Sequence, residues 1–447
     1  MTFGSVEALQ VKVLYYLTVE NDNLLQKIRY GTCVIIYICA FAYIFPMTRP
    51  KIILHSFFLA LLIALFSCKE KSTSTQEAST TVQDTIPHIY PSKDKQKKLS
   101  ASYVKEHNRK IDLFYKKYWD KNDVSGGLLV AKNGQIIFER YSGYSNFQTK
   151  KEIDVNTPIH LASVSKRITA AAIMVLVDAG KLELDQKVTT ILPRFPYSEI
   201  TVRTLLNHRS GLTNYAYFFD DRTIWDQKNQ VTNQDILDVF VKFNAPLDFK
   251  TDAHFAYCNT NYAMLALVIE KITGMNYRQA MQKIIFEPLQ MEHTFVIDYE
   301  KEYQKESQSY KGNYRKHEMN HLETVYGDKN IYSTPRDLLK FQQAVASKDY
   351  LTPTLIKEVF KGYSYERKGT RNYGLGIRMM EWNDGKQLFY HNGWWHGNTS
   401  SYVDLRDEDV VIIALSNKYT TMTYKSFYLS TLFGEYPLKL KKDDLGF

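Results

Sequence analysis

The sequence predicts an α+β fold: one antiparallel sheet formed by both ends of the chain, flanked by helices, with an all-helical lobe inserted. Three observations carry this prediction. Strand-like apolar runs occur early, at 127–132 and 135–139, and again late, at 374–380, 387–390, 400–405 and 410–415. Between these groups lie two runs that are apolar on nearly every side, Arg167 to Val177 and Tyr262 to Ile272, which read as buried helices. Strands at both ends around a helical middle imply one sheet closed by the two ends, with a site between sheet and lobe.

Taken in order, the chain opens with two apolar runs, Cys33 to Phe45 and Ile52 to Phe66, split by Pro46-Met47-Thr48-Arg49-Pro50-Lys51. Each is shorter than the roughly 20 residues that a membrane-spanning helix needs. The second has a basic start at Met47, a leucine-rich centre and Cys68 at its end, the pattern of a secretory signal. Residues 1–46 then read as an upstream segment that a start at Met47 would leave untranslated. The alternative is a longer anchor of two short membrane helices. Residues 69–100 are rich in Ser, Thr, Lys and Gln and read as a flexible tether. The globular domain is expected over 101–435, with a tail at 436–447.

Within that domain, Ala101 to Trp119 has the pattern of an amphipathic helix, and Asn133-Gly134 between two strand runs is a type I′ hairpin signal. A short helix is expected within 184–193, another segment over Val202 to His208, a helix near Asn233 to Phe243, and a last one near Met422 to Phe433. Gly180 and Gly274 stop the two buried helices. With 447 residues, 44% of them hydrophobic, a sizeable core can form. Of four cysteines only Cys258 lies beyond Cys68, so the expected domain has no internal disulfide. The formal charge is +9, but the cations are scattered and build no long basic helix. Nucleic acid is therefore not an expected partner.

Chemistry enters at Ser163-Val164-Ser165-Lys166, heading the first buried helix. Residues three apart share a helix face. A serine hydroxyl needs a base to become a nucleophile, and a lysine desolvated at the edge of a core can be that base. A bare S-x-x-K is otherwise a serine cap beside a lysine whose amine reaches out to water. Two later stretches bear on that choice: Tyr257-Cys258-Asn259 before the second buried helix, and His391-Asn392-Gly393 after the strand run at 388–390.

With these three motifs in this order, the sequence resembles the serine β-lactamase and penicillin-binding-protein superfamily, in its class C-like, D-aminopeptidase-like and esterase-like branch. The resemblance runs from about Ser125 to Asn417, with lesser matches at Ile200 to Leu212, Ile331 to Leu338 and Tyr373 to Gly376. It implies acyl transfer through a covalent Ser163 ester, with Lys166 and Tyr257 sharing the roles of base and proton relay. Asn259 would orient Lys166 or bind the substrate amide, unless it simply caps its helix. The backbone N–H groups of Ser163 and Trp394 would hold the oxyanion, and Gly393 would let the strand approach the substrate. His391 stands where classical β-lactamases carry a lysine, and this favours a peptidase, amidase or esterase over an antibiotic-destroying enzyme. Cys68 resembles the lipidated cysteine of a bacterial lipoprotein, so a membrane anchor in the cell envelope is expected. The expected partner is a small-molecule or peptide substrate, with no cofactor; the oligomeric state stays open. A β-lactamase, or a catalytically silent envelope-binding protein, are the other two readings.

His317-Glu318-Met319-Asn320-His321 matches H-E-x-x-H, a zinc pattern when it lies on a helix. The polar run before it, with Gly312 and Gly327 on either side, argues against a helix, so no metal is expected; Glu323 would be the third ligand if there were one. His160 and His208 read as structural and His396 is left open. Of Trp394 and Trp395, strand alternation should turn one indole to the cleft and the other to the core or the exterior.

Overall fold

The structure, a computed structural model, describes residues 98–303, 306–347, 349–439 and 445. The expected upstream segment, the signal with Cys68, and residues 69–97 of the tether lie outside the described residues. The first helix, α1 (Ala101–Tyr118), is capped by Ser100, whose hydroxyl accepts from the Tyr103 N–H. Ile111, Phe114, Tyr115 and Tyr118 fall at helical spacing and are buried. The hairpin follows: β1 (Gly126–Lys132) and β2 (Gln135–Ser142), turned at Asn133 and Gly134 with φ of 52° and 70°. Positive φ at both positions is what a type I′ turn requires.

The helical lobe holds α2 (Ser165–Asp178), α3 (Asn233–Phe243) and α4 (Asn259–Thr273), and α5 (Pro335–Ala346) follows it. In α2 every residue from Ser165 to Leu176 is buried, and in α4 every residue from Thr260 to Ile269. Thr232 and Asp235 cap α3 reciprocally, and Gly274 closes α4 at φ 67°. The chain then returns to β3 (Arg371–Tyr373), β4 (Arg378–Glu381), β5 (Gln387–Trp395), β6 (Asn398–Leu405) and β7 (Val410–Ser416).

These strands form one seven-stranded sheet in the order β2-β1-β7-β6-β5-β4-β3, every pair antiparallel. The expected closure is the β1–β7 ladder, with Gly126 opposite Ser416 and Lys132 opposite Val410. Both faces are covered. Leu128, Val130, Ile412 and Ala414 pack with α1, while Leu129, Ala131, Ile413 and Leu415 pack with the helical lobe. Alternation along each strand supplies one residue to each core in turn.

Three expectations shift. The run at 374–380 is not one strand: Gly376, at φ 81°, turns the chain between β3 and β4, and a Cβ there would meet that of Ala170 at 2.2 Å. The segment Met422–Leu432 is a 3-10 helix, and Leu429 joins the α1 core. Tyr436, the first residue of the expected tail, is buried there too, its hydroxyl donating to Glu408.

Candidate active site

Ser163 lies in a 3-10 turn, Ala162–Val164, immediately before α2. Leu161 N–H donates to the Ile331 carbonyl at 2.8 Å, Ile331 N–H donates to Ser165 Oγ at 3.2 Å, and Ser400 Oγ donates to the Leu161 carbonyl at 2.6 Å. Ala162 is left-handed at φ 48°, a strained geometry for a residue with a Cβ. The serine is therefore presented by a turn fixed by three hydrogen bonds, two to Ile331 and one to Ser400, and it is half-buried. It caps nothing: Val164 holds the cap position, with no side-chain bond.

Lys166 is fully buried. Its Nζ lies 3.0 Å from Ser163 Oγ and donates to the Asp328 carbonyl at 2.8 Å. The amine does not reach out to water, so the commoner meaning of S-x-x-K does not apply here. The Tyr257 ring stands 5.1 Å from Nζ. A second cation meets the same ring, the Arg378 guanidinium at 4.5 Å.

Asn259 departs from two of its expected roles. The hydrogen bonds of Lys166 go to Ser163 and Asp328, so Asn259 does not orient it through one. Cys258, not Asn259, is the cap of α4, and Asn259 is its first helical residue. The Asn259 Oδ1 atom is buried and has no hydrogen-bond partner.

On the sheet side, β5 pairs with β4 only at Gln387–Tyr390, so 391–395 lie beyond that last rung. Gly393 packs directly on the serine turn: a Cβ there would come within 2.4 Å of the Leu161 carbonyl oxygen and 2.9 Å of Ser163 N. Gly393→Ala is thus expected to push the strand and the turn apart, lowering turnover by about 10²–10³-fold, the scale of a lost oxyanion donor. Measuring kcat for an acyl ester alongside the melting temperature checks this.

His391 is fully buried. Its Nδ1 is 2.9 Å from the Asn392 carbonyl and so carries the proton, leaving Nε2 to accept from the Tyr373 hydroxyl at 3.2 Å. Burial, then the Arg378 and Lys166 cations, hold it neutral, its pKa well below the ordinary value. His208 is likewise buried and neutral; its Nδ1 accepts from Cys258 N–H at 3.2 Å and from Asn261 Nδ2 at 3.0 Å. His160 is pushed down to about 4 by burial, and joins Asn330 to the Ala162 N–H.

Three such histidines have a consequence for stability. An unfolded chain protonates its histidines near pH 6.5, while these three resist in the folded state. The unfolded state then binds more protons, and stability falls as the pH drops below about 6.5. Urea midpoints measured from pH 7.5 to 5 should decline over that range. His160→Gln should flatten the decline by about one proton's worth, at most about 1.4 kcal/mol per pH unit.

Behind Lys166 lies a buried polar network whose inner members, Tyr215, Asp328 and Lys329, the sequence did not single out. Asp328 Oδ2 accepts from the Tyr215 hydroxyl at 3.0 Å, and Lys329 Nζ donates to that hydroxyl at 2.8 Å. The Lys329 ammonium also lies 4.7 Å from the Trp395 ring, and Trp395 Nε1 donates to Glu323 at 3.1 Å. His396 meets the same carboxylate at 2.5 Å. Burial opposes charge on Glu323, yet its bonds with His396, Trp395 and the Asn320 backbone hold its pKa below the ordinary value. The network ties the loop that anchors Lys166 to the strand that carries Gly393. The open question of His396 is settled as this pairing.

The two indoles alternate, Trp395 packing against the lobe core and Trp394 standing 63% exposed. The inward one is engaged with Glu323 and Lys329, and the expected indole wall of the cleft is not what these contacts describe. The H-E-x-x-H residues are not helical: His317 stacks on His396, and His321 faces Asp220 at 3.2 Å. Among the described residues no group of three or more His, Cys, Asp or Glu could hold a metal ion.

The chain matches the Beta-lactamase family model over residues 111–426. It is 30% identical to penicillin-binding protein 4* of Bacillus subtilis (strain 168), over 74% of this chain and 78% of that one. It is 26% identical to the teichoic acid D-alanine hydrolase of Staphylococcus aureus, over 83% and 92%. A penicillin-binding protein from Bacillus halodurans has the same fold, with a TM-score of 0.63 at 22% identity, covering 71% of this chain and 98% of that one.

Proposed function

Because the chain belongs to the Beta-lactamase family, we propose that it is a serine hydrolase that forms a covalent acyl-enzyme on Ser163. The observation that carries this reading is the 3.0 Å approach of the fully buried Lys166 amine to Ser163 Oγ. The proposed step runs through the free-amine form of Lys166, whose Nζ accepts the hydroxyl proton while Oγ bonds to the acyl carbon. The leaving group departs with a proton relayed through Tyr257, and water then releases the acyl group by the reverse route. Lys166 is assigned the deprotonation because it touches Oγ; Tyr257 is assigned the relay because its ring stands beside Nζ. The Ser163 and Trp394 backbone N–H groups are assigned to the oxyanion, and the unpartnered Asn259 Oδ1 to a substrate N–H.

The substrate we propose is an amide, peptide or ester of D-amino-acid type, as the name of the Staphylococcus aureus relative suggests. A neutral His391 cannot supply the fixed positive charge of the lysine found there in classical β-lactamases. Arg378 can, from the neighbouring strand and against the Tyr257 ring. A negative group on the substrate would therefore be held on the β4 side of the cleft. The signal-like run ending at Cys68 further supports attachment to the cell envelope as a lipoprotein.

The test is to treat the protein with a fluorophosphonate and, separately, with a fluorescent penicillin, then map the adducts by mass spectrometry. One adduct on the peptide containing Ser163 is expected with the fluorophosphonate. Labelling of a different residue, or hydrolysis abolished by a chelator, would assign the chemistry elsewhere. Rapid turnover of the penicillin would instead favour a β-lactamase.

A further inference from the structure

A cavity of about 560 Å³, within the size range of ligand sites, opens beside the proposed cleft. Phe255 and Tyr390 line its apolar walls, and Arg378 contributes to its surface. Arg378 also covers the Tyr257 ring, so the cavity begins one side chain away from the residues around Ser163. Three more cations line it, Arg367, Lys368 and Arg371, all exposed.

The charge here is not compensated. Among the described residues none of these four cations makes an ion pair within 4.0 Å. The one carboxylate on the lining, Glu366, is already engaged: it pairs with Arg209 at 3.1 Å and accepts from the Phe255 N–H at 2.6 Å. A second cavity, of about 660 Å³, makes the contrast. Its two arginines are each doubly paired, Arg203 to Asp185 and Glu358, Arg209 to Asp252 and Glu366. In that cavity, then, both arginines are neutralised by carboxylates, whereas beside the cleft four cations have no carboxylate partner among the described residues. Cations gathered on the wall of a concavity attract anions and speed their arrival.

We propose that this basic cavity is a second anionic subsite, so that the acyl donor carries at least two negative groups, one at Arg378 and another among Arg367, Lys368 and Arg371. The proposal rests on the serine-hydrolase reading and adds the substrate class: an ester or amide on an anionic chain, of phosphate or carboxylate type. The neutral part of the substrate meets Ser163, while the charged remainder runs along the β3–β4 edge of the sheet.

The experiment uses the full chain and an Arg367→Ser/Lys368→Ser/Arg371→Ser variant, which leaves Ser163, Lys166, Tyr257 and Arg378 in place. Binding of tripolyphosphate and of tricarballylate is measured by calorimetry at low and high salt. The natural chain should bind at least one of them, more weakly as salt rises, and the triple variant should bind it at least tenfold more weakly. Binding of tripolyphosphate alone identifies a phosphate-bearing substrate, and binding of tricarballylate alone a carboxylate-bearing one. Hydrolysis is then compared for a neutral acyl ester and the same ester carrying a terminal phosphate and a carboxylate. The natural chain should favour the charged ester by about tenfold in kcat/KM at low salt, and the triple variant should lose that preference while hydrolysing the neutral ester within twofold of the natural rate. If neither anion binds, or the triple variant binds and discriminates like the natural chain, the subsite is refuted although the hydrolase reading stands. If neither ester is hydrolysed by the natural chain, the hydrolase reading itself fails. Should the triple variant fold poorly, Arg371→Glu replaces it: weaker anion binding supports the subsite, and unchanged binding refutes it.

Discussion

Ser163→Ala should lower ester hydrolysis by on the order of 10⁴-fold or more and abolish the adduct with a serine-reactive probe, while the melting temperature stays close to that of the natural chain. The large kinetic effect follows from losing the atom to which the acyl group bonds; deleting the nucleophile of a serine hydrolase removes most of its rate advantage. The small effect on stability follows from position. Ser163 is half-buried and holds no cap, and among the described residues its hydroxyl meets only the Lys166 amine, which keeps the Asp328 carbonyl as a partner. The assay is kcat for a chromogenic ester with intact-mass analysis after labelling. Turnover within tenfold of the natural rate would remove Ser163 from the mechanism.

Lys166→Ala should lower turnover by about 10²–10⁴-fold, the usual scale for a general acid–base group. Unlike the serine change it should also destabilise, because it empties a fully buried site and strands the Asp328 carbonyl. Lys166→Met separates the two effects, since it retains most of the buried volume without the amine. Both variants should lose activity alike, and the alanine variant should melt lower. Serine and lysine act as a unit, so the Ser163→Ala/Lys166→Ala double variant should be little slower than Ser163→Ala alone. A double variant slower by the product of the single effects would mean that the lysine serves some other step.

The fold was readable because its signals are local and repeated. The continuous apolar run at 410–415, short enough for a strand buried on both faces, and the longer apolar runs of α2 and α4 each state their environment within one stretch of sequence. The triplet Ser163, Lys166 and Tyr257 was readable because its members sit in short patterns at element boundaries, and His391 with Gly393 because a glycine after a strand marks close approach. Asn259 was misplaced by one residue at a helix start, where boundaries depend on hydrogen bonds that the sequence does not print. Of the strand expected at 374–380 only 378–380 formed, within β4, because Leu375 and Ile377 are buried around a turn, and an apolar run does not distinguish turn from strand.

The network of Tyr215, Asp328, Lys329, Trp395 and Glu323 could not be read from spacing. It draws on four separate stretches, and only the fold brings them together. One signal was present: two adjacent charges, Asp328 and Lys329, stand just before the apolar Ile331-Tyr332, where a charge is costly unless it is paired. Arg378 gave a weaker signal of the same kind, as a lone cation in a strand run whose neighbours are apolar.

The β1–β7 ladder has a consequence for how the protein comes into being. Strand β1 is made before the helical lobe, yet the neighbour that completes its pairing, β7, is made only after it. Until then β1 and β2 form a lone hairpin, which is marginal in water, and β6 lacks one of its two neighbours. Long-range pairing of this kind makes folding slow and leaves strand edges open meanwhile. A chain truncated before Val410 would retain those open edges and aggregate. The serine turn waits on the same order of events, because the Ser400 bond that fastens it comes from β6, which is made only after the helical lobe that follows Ser163.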